Sequence, residues 1–448
     1  MKNSNTPVRF AKSMEIKALR GFRDQYPAAM GPRREMFDRM RSVARRFNFQ
    51  EMEGPALESL ELFRVKSGPE IVDTTFSFTD KGGREVTLIP ENTPTVARMF
   101  IYKQLELVQP VRWYSIERFW RYERPQEGRL REFYQGNFDI LGDGSVSADA
   151  EMITMAADLI RAMGIESDTI LKISHKDILR SLFASWGVDD PAPMFRAVDR
   201  LDKVGEDAVR QELAGLGLAL ERIQKLLQTV QVSGPITKTL PGLKGLLSAV
   251  DGLEETFERL ERLGDLLEAA GVSDMCQLDL GIVRGLDYYT GTVFEAFDRK
   301  GELRALFGGG RYDNLIELFG GQPTPAVGFA IGDAVLEIAM KRSGSWPHWS
   351  GEPEFYLIAL TDNEAAAAMA LGTKLRSKGR SVEVDGSGAK PKKKFKRADR
   401  KNARFVLVFG EDEVREGKVS VKDLSTGKQV TVPQEKLLNS DPENLFDN

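Results

Sequence analysis

Glu117-Arg118-Phe119-Trp120-Arg121-Tyr122-Glu123-Arg124-Pro125-Gln126-Glu127-Gly128-Arg129-Leu130-Arg131-Glu132-Phe133-Tyr134-Gln135 carries the densest chemistry in this chain. Five arginines and four glutamates are interleaved with aromatics at 119, 120, 122, 133 and 134, around a central Pro-Gln-Glu-Gly turn. That pattern predicts two antiparallel strands joined by a long charged loop. Guanidinium forks match phosphate oxygens, so arginines fixed on strands beside a mobile basic loop suit a polyphosphate. A solvated charged hairpin accounts for this stretch equally well.

Working outward, Gly136-Asn137-Phe138-Asp139-Ile140-Leu141 extends the second strand. With a two-residue period, Gln135, Asn137 and Asp139 share one face, and Phe138 and Ile140 the other. Three polar residues on the inward face favour a ligand-reading row over a solvated face. Upstream, Leu88-Ile89-Pro90-Glu91-Asn92-Thr93-Pro94 runs from a strand into a helix, with Thr93 expected as N-cap and Pro94 at the first helical position. Glu91 at that junction suits a binding carboxylate or a simple complement to the helix dipole. Residues 72–80 and 84–90 read as a hairpin around Lys81-Gly82-Gly83. Before them, residues 32–47 have helical periodicity and a basic face, and an extended segment to Glu58 carries Pro55.

Downstream, a helix over 147–163 and a strand over 168–174 lead into a Leu-rich, mixed-charge helical region, whose leucines read as packing residues. Strand-type text returns at Leu278. There Arg284-Gly285-Leu286-Asp287-Tyr288-Tyr289 lies between two apolar runs, a frame in which buried polar groups need partners. Gly308-Gly309-Gly310 before Arg311-Tyr312-Asp313 predicts a close approach of backbone to ligand. Residues 325–332 read as a buried strand before a helix from Asp333, whose carboxylate would oppose an anion at the helix start.

Composition bounds the classes. A chain of 448 residues is too long for one core. It is 41% hydrophobic and 29% charged, with no apolar run long enough for a membrane span. A net charge of -4 makes any nucleic-acid contact local. The single Cys276 excludes an internal disulfide, and with only His175 and His348 no protein-held metal is expected. Met1 to Ser13 lacks the apolar core of a signal peptide, so a cytoplasmic location is expected. Beyond a linker with Trp346-Pro347, alternating strands and helices form an α/β domain, carrying the basic run Lys390-Pro391-Lys392-Lys393-Lys394-Phe395-Lys396-Arg397. Alone, that run reads more readily as a solvated face than as a nucleic-acid contact.

The order of these pieces resembles the class II aminoacyl-tRNA synthetases, and within them the histidyl-tRNA synthetase family. The likeness is carried by Arg20 to Asp24, the motif 1 region through Pro55, Pro90 to Thr93, the motif 2 hairpin from Arg121 to Gln126, Gln135 to Asp139, Arg284 to Tyr289, Gly309 to Asp313, and Thr324 to Phe329. It implies an α+β fold: a class II synthetase antiparallel sheet with flanking helices, a helical insertion, and a C-terminal α/β anticodon-binding domain. The implied divisions are a flexible tail (1–14), a catalytic domain in two parts (15–174 and 271–342), an insertion (175–270), a linker (343–352) and the anticodon-binding domain (353–448).

The resemblance also implies roles. Arg284 and Arg121 would be catalytic, on the α-phosphate. Glu91, Asn92, Thr93, Arg121, Gln135, Asp139, Arg284, Tyr288 and Tyr289 would bind L-histidine. Arg121, Glu123, Arg129, Arg131 and Arg311 would bind ATP, with Mg²⁺ bridging its phosphates. Gln126, Lys393, Lys394 and Lys396 would contact the histidine tRNA, and motif 1 would form a homodimer. Phe395 on the basic helix would stack on a base. Two departures stand out: Val335 falls where the family's motif 3 arginine contacts ATP, and Ile89 replaces a common arginine before Pro90. The alternative reading is a non-catalytic histidine-binding paralogue, similar to the regulatory subunit of ATP phosphoribosyltransferase.

Overall fold

The computed structural model describes residues 17–67, 69–283, 288–348 and 351–446, which divide into two compact units, 1–348 and 349–448. In the first unit the first helix is α1 (Pro27–Arg46), whose Pro27 occupies the start, where a missing N–H costs nothing, while Pro32 lies inside it. One stripe of α1 (Met36, Phe37, Met40, Val43) is buried. After β1 (Gln50–Glu51) comes a small antiparallel sheet of β2 (Leu57–Ser59), β3 (Phe76–Thr79) and β4 (Glu85–Leu88), with α2 (Leu60–Ser67) between β2 and β3. The β3–β4 hairpin is shorter than expected because residues 69–74 form a 3₁₀ turn. Its turn is held by Asp80, which accepts from the backbone of Gly82 and Arg84, while Gly83 takes a positive φ of 79°.

Next come α3 (Thr93–Lys103), the long hairpin β5 (Val111–Trp120) and β6 (Glu132–Leu141), and α4 (Val146–Met163). Helix α4 starts at Ser145, whose hydroxyl accepts from the Ala148 N–H, and ends at Gly164 in the left-handed conformation. It packs on α1, and with that helix covers one face of the main sheet. Strand β7 (Thr169–His175) opens the helical region: α5 to α11 are Lys176–Ser185, Ala192–Asp199, Leu201–Val204, Glu206–Gly215, Leu220–Val230, Ile236–Leu246 and Glu254–Ala269, with β8 (Ser233–Gly234) between the ninth and tenth helices. Leu213, Ile223, Leu226, Leu240 and Leu260 are buried here, as packing residues should be.

The chain returns through β9 (Cys276–Asp279), β10 (Thr292–Asp298), β11 (Phe307–Arg311), α12 (Leu315–Leu318), β12 (Ala326–Gly332) and α13 (Asp333–Arg342). The main sheet has the order β1-β5-β6-β12-β11-β10-β7-β9-β8. From β5 through β7 every pairing is antiparallel, whereas β1–β5 and β7–β9 are parallel. Phe138 stacks on Phe329 at 4.9 Å between ring centres, in the core beneath this sheet. Gly309 and Gly310 serve that packing: a Cβ on Gly310 would lie 2.7 Å from the Thr292 carbonyl, and one on Gly309 would collide with that of Gly328. The close approach these two permit is between strands, whereas Gly308, the first of the three, lines the unit's cavity.

Asp333 is fully buried, but it is not an isolated charge. It pairs with Arg33 of α1 and with Arg23 (2.7 Å), and accepts from the Tyr134 N–H (3.0 Å). Glu337, one turn on, takes the other arm of Arg33 at 2.7 Å. The departure at Ile89 also has a physical reason: the side chain is buried with Phe63 and Phe119, where a guanidinium would be stranded.

In the second unit, β13 (Phe355–Ala359), β14 (Val382–Asp385), β15 (Phe405–Phe409), β16 (Lys418–Asp423) and β17 (Gln429–Pro433) form a sheet ordered β14-β13-β15-β16-β17. The first three strands are parallel and the last two antiparallel, with α14 (Ala365–Ser377) and α15 (Pro391–Arg400) beside them. Together the two units have the α+β architecture expected. No helix among the described residues is long and apolar enough to cross a membrane.

Candidate active site

A cavity of about 820 Å³ lies against the main sheet, a size suited to a small-molecule ligand. Its lining draws Glu91, Asn92 and Thr93 from the start of α3, and Arg121, Glu123, Gln126 and Arg129 from the β5–β6 loop. Gln135, Asn137 and Asp139 come from β6, and Tyr288 and Tyr289 from the segment before β10. These twelve positions span about two hundred residues of sequence, and the fold brings them around one cavity.

Asp139 sits at the centre of one end. It is 7% exposed and pairs across the sheet with Gly328, where any Cβ would collide with the Asp139 carboxylate. Glycine there makes room for the side chain. The Tyr312 hydroxyl donates to Asp139 Oδ1. Burial, then the adjacent Asp139 charge, holds the Tyr312 phenol well above its ordinary pKa, so it stays a donor. Tyr288 stacks at a tilt on Tyr289 (4.5 Å) and edge-on to Tyr312 (6.2 Å). The result is a carboxylate inside an aromatic box. Nothing local in the sequence assigns Tyr312 a role; only its partner Asp139 reveals one.

At the other end, Arg121 Nε donates to the Pro90 carbonyl (2.9 Å) and the guanidinium lies over Phe133 (5.3 Å). Its two terminal amino groups have no acceptor among the described residues. Arg129 pairs with Glu123. Burial pushes the Glu123 carboxyl up, but the Arg129 hydrogen bond and the charges of Arg129, Arg121 and Arg304 outweigh it and leave it below the ordinary range. Gln126 and Arg129 exchange backbone hydrogen bonds that close the loop. Arg304, also overlooked on sequence, lines the same end.

Several expectations need correction. Arg311 does not line this cavity. It is 2% exposed, and its guanidinium meets Asp149 (2.6 Å), Asp313 (3.1 Å) and the carbonyls of Asp143 and Ser145 (both 3.0 Å). Those acceptors leave it none of the reach an ATP contact needs. Arg131 is also off the cavity wall, holding the Glu123 carbonyl (3.0 Å) and lying over Tyr122 (4.3 Å). Thr93 is the first residue of α3, not its cap; Asn92 precedes the helix and spends its amide on Ser115 (2.9 Å). Arg284 lies outside the described residues. In the second unit Lys393 and Lys396 are exposed, but Lys394 is 2% exposed and donates to the Ala359 carbonyl at 2.8 Å, which removes it from any surface contact. Phe395 packs on the cluster of Tyr356, Ile358 and Val406, so its ring is occupied.

Among the described residues no cluster of three His, Cys, Asp or Glu side chains could hold a metal ion. Glu295 on β10 adds a carboxylate to the cavity wall. That donor set fits a Mg²⁺ carried by a nucleotide's own phosphates, with one or two protein carboxylates at most.

The family model for histidyl-tRNA synthetase matches residues 21–334, and that for an anticodon binding domain matches residues 354–440. A protein of Halobacterium salinarum named histidine–tRNA ligase is 42% identical over 418 residues, covering 93% of this chain and 95% of that one. One of the same name from Opitutus terrae is 40% identical, covering 94% and 97%. The crystal structure of histidyl-tRNA synthetase from Nostoc sp. superposes with a TM-score of 0.82 at 26% identity, over 95% of this chain and 98% of that one. The chain belongs to the histidyl-tRNA synthetase family.

Proposed function

We propose that this chain is a histidine–tRNA ligase, activating L-histidine with ATP and transferring it to the 3′ end of the histidine tRNA. The observation that carries the reading is the cavity itself: the boxed carboxylate of Asp139 at one end and, at the other, guanidinium arms of Arg121 that have no acceptor among the described residues. Asp139 accepts a ring N–H of histidine, with Gln135, Tyr288 and Tyr289 around the ring, while Glu91, Asn92 and Thr93 take its ammonium group. An apolar isostere would take the ring N–H donor away from a buried carboxylate, a penalty large enough to discriminate without editing.

Arg121 then holds the α-phosphate and the histidine carboxylate together. A carboxylate oxygen attacks the α-phosphorus, the bond to the bridging oxygen breaks, and pyrophosphate leaves with the electron pair. The terminal ribose hydroxyl of the tRNA next attacks the acyl carbon, and AMP departs. Such a transfer needs positioning and charge neutralisation more than a protein nucleophile. A Mg²⁺ carried by the phosphates would screen their charge, and Glu295 is among the cavity-wall carboxylates that would hold it. Arg284 keeps its catalytic assignment from the resemblance alone. Glu123 and Arg129 frame the adenine and outer phosphates, Gln126 meets the acceptor end, and Lys393 and Lys396 meet the tRNA backbone.

The domain divisions given above go with this reading: a catalytic domain interrupted by a helical insertion, and a separate tRNA-binding domain. So does a cytoplasmic homodimer through motif 1, supported by β1, a two-residue strand with both residues exposed at the edge of the main sheet. The non-catalytic alternative is not favoured, because relatives named as ligases match over 93% of the chain. Histidine-dependent ATP–pyrophosphate exchange tests the reading. Robust exchange is expected; histidine binding without exchange would sink it.

A further inference from the structure

We propose that Arg304 binds the β- and γ-phosphates of ATP, taking from the β10–β11 loop the part that α13 does not play. This rests on the ligase reading above and adds a substrate-binding residue to it.

Four observations converge on Arg304. First, it lines the cavity and is exposed to it, yet no hydrogen bond or ion pair ties its guanidinium to any described residue. Its neighbours differ: Arg129 has Glu123, Arg131 has the Glu123 carbonyl, and Arg121 is anchored on Pro90. Second, it stands among like charges. Desolvation at the wall and then the charges of Arg129 and Arg121 lower its pKa, with Glu123 the only opposing influence. Three guanidinium groups held close repel one another unless an anion shares them, and a polyphosphate is the anion whose oxygens match them. Since Glu123 is already paired with Arg129, the cluster has positive charge to spare.

Third, α13 offers no cation. Val335 is 3% exposed, lies against the cavity, and packs under the motif 2 loop, where a Cβ on Gly128 would come within 2.9 Å of it. The one charged group at that helix start, Asp333, is consumed by Arg23 and Arg33. Fourth, the loop holding Arg304 is fixed at both ends. Asp298 accepts from the backbone N–H groups of Gly301 and Glu302 (both 3.0 Å), and the Leu306 N–H bonds the Ala296 carbonyl (2.8 Å). An unpaired arginine on a pinned loop is preorganised for a ligand, because little of its order has to be created on binding.

The assignment separates the two phosphate groups. Arg121 acts at the α-phosphate, which stays with the adenylate, whereas Arg304 acts on the part that leaves as pyrophosphate. The test uses the full chain with Arg304→Ala and Arg304→Lys, following KM for ATP, pyrophosphate and histidine in the exchange reaction. Calorimetry follows binding of ATP, pyrophosphate and a sulfamoyl analogue of histidyl-adenylate. Arg304→Ala is expected to weaken ATP and pyrophosphate about tenfold or more, the loss of one charge-assisted contact. KM for histidine and affinity for the adenylate analogue should stay within about twofold, and Arg304→Lys should recover part of the loss. Unchanged ATP and pyrophosphate affinity in the alanine variant overturns the proposal, as does equal weakening of the adenylate analogue. Absence of exchange in the unaltered chain would instead strike the ligase reading, and the calorimetric arm would still decide on Arg304.

Discussion

The arginines on the cavity wall and those on the buried side of the same unit have the same chemistry and opposite circumstances. Arg33 and Arg311 are 2% exposed; Asp333 and Glu337 clamp the first from far away in sequence, and distant Asp149 with neighbouring Asp313 the second. Burial would lower the Arg311 pKa, yet Asp149 and Asp313 outweigh it and hold it above the ordinary value. On the cavity wall, neither the two terminal groups of Arg121 nor the guanidinium of Arg304 has an acceptor among the described residues. A guanidinium with its acceptors supplied by the fold is part of the scaffold; one without them is waiting for an anion. Residue type does not distinguish the two cases, but partners do.

That contrast is broken most directly by exchanging which property each arginine controls. Arg121→Ala should cut histidine-dependent exchange by about 10³-fold, in the range seen for losing one preorganised electrostatic contact, with little change in melting temperature. Arg311→Met should do the reverse. It takes the nearest cation from Asp149, which is 1% exposed and keeps, among the described residues, only Thr292 and the more distant Arg259, and removing one partner of a buried pair costs about 3–5 kcal/mol. Below its lowered transition the variant should retain near-normal KM for ATP. An Arg311→Met protein that is stable but poor at binding ATP would collapse the distinction.

The sequence carried the cavity-facing row well, since Gln135, Asn137 and Asp139 follow from a two-residue period alone. The order of strands and helices was legible too, because motif spacing and apolar periodicity are local signals. What escaped were facts made by distant partners. Arg311 looked like a ligand arginine beside three glycines, and its acceptor Asp149 lies 162 residues away. Tyr312 acquires its role from Asp139, 173 residues away. Arg304 sits in an unremarkable Gly-Glu-Leu-Arg-Ala loop, and its meaning lies in what fails to touch it. Lys394 was the avoidable error: it lies four residues before the buried Ala398, on the inner stripe of α15, a spacing the sequence displays.

The scaffold side makes a pH prediction as well. His175 is 3% exposed, its Nδ1 has no hydrogen-bond partner among the described residues, and the Asp177 carboxylate is 3.7 Å away. Desolvation, then Arg259, Arg180 and Arg311, pushes its pKa down to about 3. The unfolded chain takes up a proton near the ordinary value of about 6.5 while the folded chain does not, so stability falls as pH drops through that window. His175→Gln should make the acid limb shallower by up to about 1.4 kcal/mol per pH unit, measured by urea unfolding between pH 7 and pH 4.5. The slope is the quantity to compare, since the substitution also shifts the overall level. Identical slopes would mean His175 charges freely in the folded state.

The smallest effect is expected in the second unit, where adjacent lysines on α15 repeat the contrast. Lys393 and Lys396 project to solvent, while Lys394 Nζ is spent on the Ala359 carbonyl at 2.8 Å. If exposed cations meet tRNA phosphates, Lys393→Ala with Lys396→Ala should raise KM for the tRNA about three- to tenfold and flatten its salt dependence, because each phosphate contact releases counterions. Pyrophosphate exchange should not change, since that reaction needs no tRNA. Lys394→Met should leave both activities alone and cost about 1–3 kcal/mol of stability by orphaning a buried carbonyl. A tRNA defect in the Lys394 variant equal to that of the double variant would show that the helix acts as a unit whose position, and not its exposed charge, is what the tRNA reads.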